Sequence, residues 1–297
     1  MATILVTGSC GGVGSWTVDR LADAGHDVVG VDQRLPSGTR ESVVFKTADL
    51  TNYGETRELV EDADPDAVVH LAAIPNPEHH AGSRVFENNV VSTYNVLDAA
   101  GAAGARIVWA SSESLYGTVF AEEPWLPDAL PIDEETPTAP EDPYGLSKVV
   151  GETIAARAAR RYDVPSVSLR LSWVNYPGAY ETQRAREAFD AETATLSGNC
   201  WTYVDVRDVI DAIEAAINPT TPIDGHEAVL ITAAENFLDR ETAATIEAVH
   251  GELPATCDID GDESVFDCSK AKRLLEWEAS YSWRDAEGVR VDGPEFV

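Results

Sequence analysis

Tyr144 and Lys148, in "PYGLSK" (143–148), stand four residues apart where a helical stretch opens, so both side chains share one face. A phenol is a poor base at its ordinary pKa of about 10, but an adjacent ammonium lowers that value and makes proton transfer feasible nearer neutrality. Ser112, in "ASSESLYG" (110–117), is expected at the end of a parallel strand, where open α/β sheets assemble their sites. The three together suit acid–base chemistry at an alcohol carbon. Ser112 would hold the reacting oxygen while Tyr144 exchanges its proton.

A second group of residues suits a phosphate-bearing ligand. In "VTGSCGGVG" (6–14), Gly8, Gly11 and Gly14 are spaced three apart at a strand-to-helix junction, with Gly12 and Val13 completing the loop. Gly8 permits a tight turn, Gly11 lets backbone N–H groups approach a pyrophosphate, and Gly14 lets helix and strand pack closely. The helix N-terminus then faces the anion. Asp32 closes the next strand, 18 positions after Gly14, and its carboxylate suits the paired ribose hydroxyls of NAD while repelling the 2′-phosphate of NADP. Arg34, two residues on, could receive that phosphate, so NADP stays open. Asp49 and Leu50 are expected beside the adenine. Leu71, Ala72 and Ala73, in "HLAAIP" (70–75), supply a small wall where backbone passes close to the cofactor.

These residues need a scaffold of alternating strands and helices. Strands are expected at 2–7, 27–32, 67–73, 106–112, 166–172 and 228–233, with a further one before Asp49. Helical spacing covers the stretch to about Ala24, 83–103, 144–162, 239–250 and 269–276, and 201–217 reads as a strand running into a helix. The loop 118–143 is long and acidic, and 175–200 is irregular. Such alternation implies an α/β fold: a doubly wound parallel sheet of the Rossmann type, covered on both faces, with a small C-terminal substrate-binding lobe. We expect residues 1–172 to form the NAD-binding domain, with 201–233 returning to it, and 173–200 and 234–297 to form the lobe.

Composition narrows the function classes. The 297 residues carry 52 Asp and Glu against 21 Lys and Arg, a net charge of −31, and only four of the basic residues are Lys. That surface disfavours nucleic acid and anionic membrane as partners. Seven Trp, nine Tyr and 44 % apolar residues supply a core, and no apolar run approaches the ~20 residues of a membrane span. With no basic flank ahead of "TILVTGS", the expectation is a cytoplasmic protein. Self-repulsion at this charge strains a compact fold at low salt and fades at ~1 M, where the screening length is ~3 Å. The acidity, the scarcity of Lys and the many Ala and Thr resemble proteins of salt-accumulating organisms. Cys10, Cys200, Cys257 and Cys268 form no CxxC pair, and His79-His80 has no spaced third ligand, so no metal site is expected.

With these motifs in place, the chain resembles the extended short-chain dehydrogenase/reductase family, of the NAD-dependent epimerase/dehydratase type, over nearly its whole length. The matching strings are TGxxGxxG at 7–14, Asp32, "HLAA", "NVVSTYNVLDAA" (89–100), "SSESLYG", "YGLSK" and "YVDVRDV" (203–209). The resemblance implies Tyr144 as acid/base and Lys148 as its pKa-lowering partner and ribose ligand. It also implies Ser112 as donor to the reacting oxygen and Asn89, near the cofactor, as organiser of the active-site helix. The helices near 83–103 and 144–162 would pair into a homodimeric four-helix interface.

Departures from the family pattern bear on the reaction. Dehydratases of the family usually carry Asp-Glu after the catalytic Ser or Thr, and this chain has Glu113-Ser114. Nucleotide-sugar enzymes usually have an Asn three residues after the "LR" Arg, here Arg170, where this chain has Trp173; Trp201-Thr202 replaces their Arg-Asp pair. About two dozen residues separate "LRLSW" from "WTYVDV", short for wrapping a nucleoside diphosphate, and the region offers chiefly Arg184 and Arg186 as cations. The chain is therefore expected to oxidise a free sugar, an aldose or uronate, at the anomeric carbon with NAD, giving a lactone. In compactness it is similar to uronate dehydrogenases and haloarchaeal aldose dehydrogenases. Glu113, Trp173, Asn175 and Tyr176 are the candidate sugar contacts. The alternative is a nucleotide-sugar epimerase, similar to UDP-glucose 4-epimerases, in which the same triad oxidises the sugar transiently.

Overall fold

In the computed structural model, which describes residues 1–297, the chain begins with β1 (Thr3–Thr7), α1 (Gly12–Asp23), β2 (Asp27–Asp32), β3 (Val43–Thr47), α2 (Tyr53–Ala63) and β4 (Ala67–His70). It continues through α3 (Gly82–Ala102), β5 (Arg106–Ser112), the two-residue β6 (Ala129–Leu130), α4 (Pro143–Tyr162), β7 (Ser166–Leu171), β8 (Val174–Asn175) and α5 (Glu181–Glu187). The last part holds β9 (Val204–Asp205), α6 (Val206–Ile217), β10 (His226–Ile231), α7 (Thr242–His250), β11 (Thr256–Cys257), α8 (Ser269–Leu275) and α9 (Trp283–Ala286).

Seven of the strands form one parallel sheet in the order β10-β7-β5-β4-β1-β2-β3. The chain runs outward from β1 to β3, then returns to β4 on the other side of β1, and the crevice beyond the strand ends at this reversal is where doubly wound folds bind ligands. β4 and β7 are buried at every residue because helices cover both faces. Alternation divides the side chains between two cores: Ile4 and Val6 face Val18, Leu21 and Ile213, whereas Leu5 faces Val68, Leu97 and Trp109. A third cluster, with Tyr203, Phe237, Phe266 and Trp283, packs beneath the C-terminal segments and takes in Leu115 and Tyr116.

The strands at 27–32 and 106–112 begin and end as the sequence indicates. The strand expected at 67–73 stops at His70: Leu71 N–H is shared between the Thr7 carbonyl and hydroxyl, both at 3.2 Å, and Ala72 N–H turns to the hydroxyl at 3.3 Å. The strand expected from 201 shrinks to Val204–Asp205, since Cys200 and Trp201 are left-handed, with φ of 47° and 62°. α2 has no counterpart in the sequence reading; Asn52 caps it by accepting from Gly54 N–H (3.1 Å) and Glu55 N–H (3.3 Å).

Candidate active site

The glycine loop at the end of β1 is built for close backbone approach. Gly8 has φ of +71°, and a Cβ there would lie 2.8 Å from the Ala72 nitrogen. A Cβ on Gly14 would stand 1.9 Å from the Gly8 carbonyl oxygen. Gly11 caps α1, and no side chain satisfies the first N–H groups of the helix, which leaves donors for an anion. Asp32 holds this loop from β2: Oδ2 accepts from Cys10 N–H (3.0 Å) and Oδ1 from Gln33 N–H (2.7 Å). A cavity of about 310 Å³ opens here, lined by Gly8, Gly11, Asp32, Arg34, Asp49, Leu50, Leu71, Ala72 and Ala73. Loop, helix end and carboxylate fit the pyrophosphate and ribose of a dinucleotide. Gly12, Val13 and Gly14 line the adjoining cavity instead.

That second cavity, of about 590 Å³, shares Gly8, Gly11, Leu71 and Ala73 with the first and brings Ser112, Tyr144 and Lys148 together. α4 begins at Pro143, whose missing N–H costs nothing at a first helical position. Asp142 caps it by accepting from Tyr144 N–H and Gly145 N–H, both at 2.8 Å. Ser112 ends β5 and starts a short helical turn, accepting from Ser114 N–H (3.2 Å) and donating to Ser114 Oγ (3.1 Å). Lys148 Nζ donates to the Ala110 carbonyl at 2.6 Å and lies 5.2 Å from the Tyr144 ring centroid.

The electrostatics differ from the sequence expectation. Burial pushes the Tyr144 phenol up to about 12, with the Ser112 hydroxyl opposing, and pushes Lys148 down to about 7, with the Glu152 carboxylate opposing. Burial dominates both groups, and with nothing bound Tyr144 keeps its proton.

Glu152 and Arg170, which the sequence reading gave no role here, fix the position of α4. Glu152 lies one further turn beyond Lys148 and accepts from Arg170 Nε (2.9 Å), Arg170 Nη2 (2.8 Å) and Ser111 Oγ (2.8 Å). The same Arg170 donates to Tyr116 Oη at 2.7 Å, so β5, β7 and α4 are tied at one point. Their only sequence signal was the i, i+4, i+8 series Tyr144, Lys148, Glu152. Asn89 lines neither cavity: its amide accepts from Ile74 N–H (2.8 Å) and donates to Ile74 O (3.1 Å) and Ser147 Oγ (3.4 Å). It pins the 70–75 wall to α4 from behind, so it positions the cofactor wall and does not touch that groove.

Of the four candidate sugar contacts, Glu113, Trp173 and Tyr176 line the larger cavity and Asn175 does not. Asn175 is buried, donates to Trp173 O (3.1 Å) and accepts from Thr182 N–H (3.2 Å), so its amide is consumed in anchoring α5. The Tyr176 hydroxyl lies over the glycine loop, where a Cβ on Gly12 would meet it at 2.2 Å. Glu113 is buried, and its Oε2 accepts from Thr202 Oγ1 at 3.3 Å; burial pushes its carboxyl up to about 8. Ser172 and Asn199 also line this wall, and no spacing in the sequence marks them. Arg184 and Arg186 line neither cavity, and Arg186 is held by Glu287 at 2.7 Å and by the Trp283 ring.

Comparison with known proteins agrees with this geometry. A family profile described as "NAD dependent epimerase/dehydratase family" matches residues 4–231. An L-arabinose 1-dehydrogenase (NAD(P)(+)) of Haloferax volcanii is 32 % identical over 255 residues, covering 84 % of this chain and 95 % of that protein. A UDP-glucose 4-epimerase of Streptococcus mutans is 28 % identical over 317 residues, covering 94 % and 92 %. Among solved structures, a short-chain dehydrogenase/reductase superfamily protein of Agrobacterium tumefaciens with bound NAD superposes with a TM-score of 0.71 at 26 % identity, over 95 % of this chain and 94 % of that one.

Proposed function

The chain belongs to the NAD dependent epimerase/dehydratase family, and from that premise we propose that it oxidises a free, small sugar at the anomeric carbon to a lactone. The observation that carries this reading is the charge inventory of the larger cavity, whose wall holds one cationic side chain, Lys148, and one carboxyl, Glu113. A nucleoside diphosphate needs cationic side chains or a helix N-terminus, and the α1 N-terminus already serves the cofactor, so burying a second set of phosphates here costs several kcal/mol. A free sugar makes no such demand. The arabinose dehydrogenase among the relatives supports the same class.

When bound, NAD would supply the hydride acceptor and the positive charge of its nicotinamide. Tyr144 Oη takes the proton of the anomeric hydroxyl as the carbon loses its hydride, so proton and electron pair leave by separate routes. Ser112 Oγ holds the same oxygen throughout. Lys148 Nζ, fixed by the Ala110 carbonyl, favours the ionised phenol once its own burial is offset. Gly11 and the first turn of α1 would hold the pyrophosphate, and Asp32 the ribose, with Arg34 at the same cavity leaving room for NADP. Residues 173–200 and 234–297 act as the lobe that closes on the sugar. Exposed Tyr94 on α3 and Leu146 on α4 offer an apolar face for a second copy, in a homodimer.

The test follows NADH formation by the purified protein in molar KCl, with NAD and a panel of free aldoses and uronates. Turnover that Tyr144→Phe abolishes while NAD still binds supports the reading. A silent panel together with interconversion of UDP-glucose and UDP-galactose would replace it with epimerisation, the activity named for the Streptococcus mutans relative.

A further inference from the structure

The larger cavity also carries a wall of hydrogen-bonding groups that the reaction itself does not use, with Glu113, Ser172 and Asn199 in its lining. Glu113 is 4 % exposed, follows Ser112 directly, and accepts from the Thr202 hydroxyl at 3.3 Å. That hydroxyl, which also donates to Asn199 O at 2.8 Å and does not itself line the cavity, lies 3.0 Å from Ser172 Oγ, so three side chains from separate parts of the chain meet. A turn of unusual backbone brings Thr202 to the other two, which follow β5 and β7. Cys200 and Trp201 are both left-handed, with φ of 47° and 62°, although neither is glycine. Asn199 holds the turn shut, donating to Thr202 O (3.0 Å) and accepting from Ser197 Oγ (2.6 Å) and Trp201 N–H (3.2 Å). Strain of this kind persists where the surroundings over-determine it.

We propose that Glu113 and Ser172, with Thr202 buried against them, form a charge-free pole of the substrate cavity that reads sugar hydroxyls and selects uncharged aldoses over uronates. This rests on the free-sugar reading above and narrows its substrate class. A protonated carboxyl presents one donor and one acceptor on adjacent atoms, which matches a sugar hydroxyl in both senses. No cation stands at this pole to receive a substrate carboxylate. Lys148 Nζ is engaged with the Ala110 carbonyl and the Tyr144 ring. The other titratable groups acting on this region do not alter the balance. Tyr144 and Cys200 are each pushed up to about 12 and stay neutral, and Asp142, which caps α4, lines neither cavity. The Glu113 carboxyl, pushed up to about 8 by burial, stays protonated at neutral pH. A uronate would bring an anion into a buried wall that offers no opposite charge, and such an anion is strongly disfavoured.

L-Arabinose, D-galactose and D-galacturonate share one ring configuration and differ only in the substituent at C5, which is hydrogen, hydroxymethyl or carboxylate. The experiment compares kcat and KM for the three in the wild type, Glu113→Leu, Glu113→Gln and Thr202→Val. We expect kcat/KM for the better neutral sugar to exceed that for galacturonate by about a hundredfold or more. Glu113→Leu should raise the neutral-sugar KM about tenfold with a much smaller change in kcat, Thr202→Val should act in the same direction, and Glu113→Gln should recover part of the loss. Galacturonate turning over as well as the neutral sugars, or an unchanged KM in both Glu113→Leu and Thr202→Val, overturns the proposal and leaves the dehydrogenase reading standing. If no sugar yields NADH, that reading falls and the pole is judged by calorimetry on the NADH complex of Tyr144→Phe. Binding of a neutral sugar in preference to galacturonate, weakened by Glu113→Leu, upholds it; no binding overturns it.

Discussion

Replacing Glu113 by Gln should change how stability depends on pH in a way that reports the state of the buried carboxyl. Its folded pKa is raised from 4.5 to about 8, chiefly by burial. For a raised carboxyl, the unfolded chain releases the proton first, so between these two values the folded state holds more protons than the unfolded one. Stability due to this group is fully present below the unfolded value and is lost as pH rises through the folded one. The slope for one proton is about 1.4 kcal/mol per pH unit, which sums to about 4 kcal/mol between pH 5 and 8. Gln carries no such linkage. The assay is urea unfolding followed by Trp fluorescence in molar KCl, at several pH values across that window, for wild type and variant. Lys148 titrates inside the window, pushed down to about 7, but it does so in both proteins and cancels in the difference. Wild type should lose stability relative to Glu113→Gln as pH rises. A pH-independent difference would mean that Glu113 ionises as an ordinary surface carboxyl, and both the dry wall and the charge-free pole would fall with it.

Asp32→Ala removes a carboxylate that holds the Cys10 N–H and faces the smaller cavity. It should raise the KM for NAD about tenfold and narrow the preference for NAD over NADP, read from initial rates with each. Gly14→Ala places a Cβ against the Gly8 carbonyl, a backbone atom that cannot move aside. The shift in melting temperature on adding NAD should disappear in that variant. Glu152→Gln leaves the buried Arg170 without its counter-charge, and it should lower unfolding free energy by about 3 kcal/mol in urea.

Burial of both faces did not by itself make an element's limits legible: β4 is buried throughout yet stops at His70, short of the expected 73, whereas β2 and β5 keep their limits. β2 and β5 are continuous apolar runs flanked by turn residues, and such runs leave little freedom of register. α2 escaped notice because only Thr56, Leu59 and Val60 are buried along it, too few to make a stripe. The glycine loop and the Ser112, Tyr144, Lys148 set were legible because each depends on local spacing at the end of one element. The sugar wall was not, since Thr202 reaches Glu113 across 89 positions through a turn whose left-handed residues no propensity requires. Asn175 shows the converse limit. Its place beside Trp173 suggested the cavity, but the direction of its side chain was decided by α5, which uses the amide as an anchor.

The acidic surface bears on cofactor binding as well as on stability. A protein of net charge −31 must draw an anionic pyrophosphate into a groove whose charged lining is Asp32, Asp49 and Arg34. The attraction available there is short-ranged, because it comes from backbone N–H groups and the first turn of α1. The repulsion is long-ranged, because it comes from the whole surface. Salt separates the two. At ~0.1 M the screening length is ~10 Å and the surface charge is felt at the groove; at ~1 M it is ~3 Å, and only the local donors remain. The KM for NAD should therefore fall as KCl is raised from ~0.1 to ~1 M, and the melting temperature should rise over the same range. Trp fluorescence at each salt gives the folded fraction, which keeps lost protein from passing as weak binding. A KM that rises with salt in fully folded protein would mean that pairing with Arg34 governs the phosphates, and the backbone account of the groove would have to be abandoned.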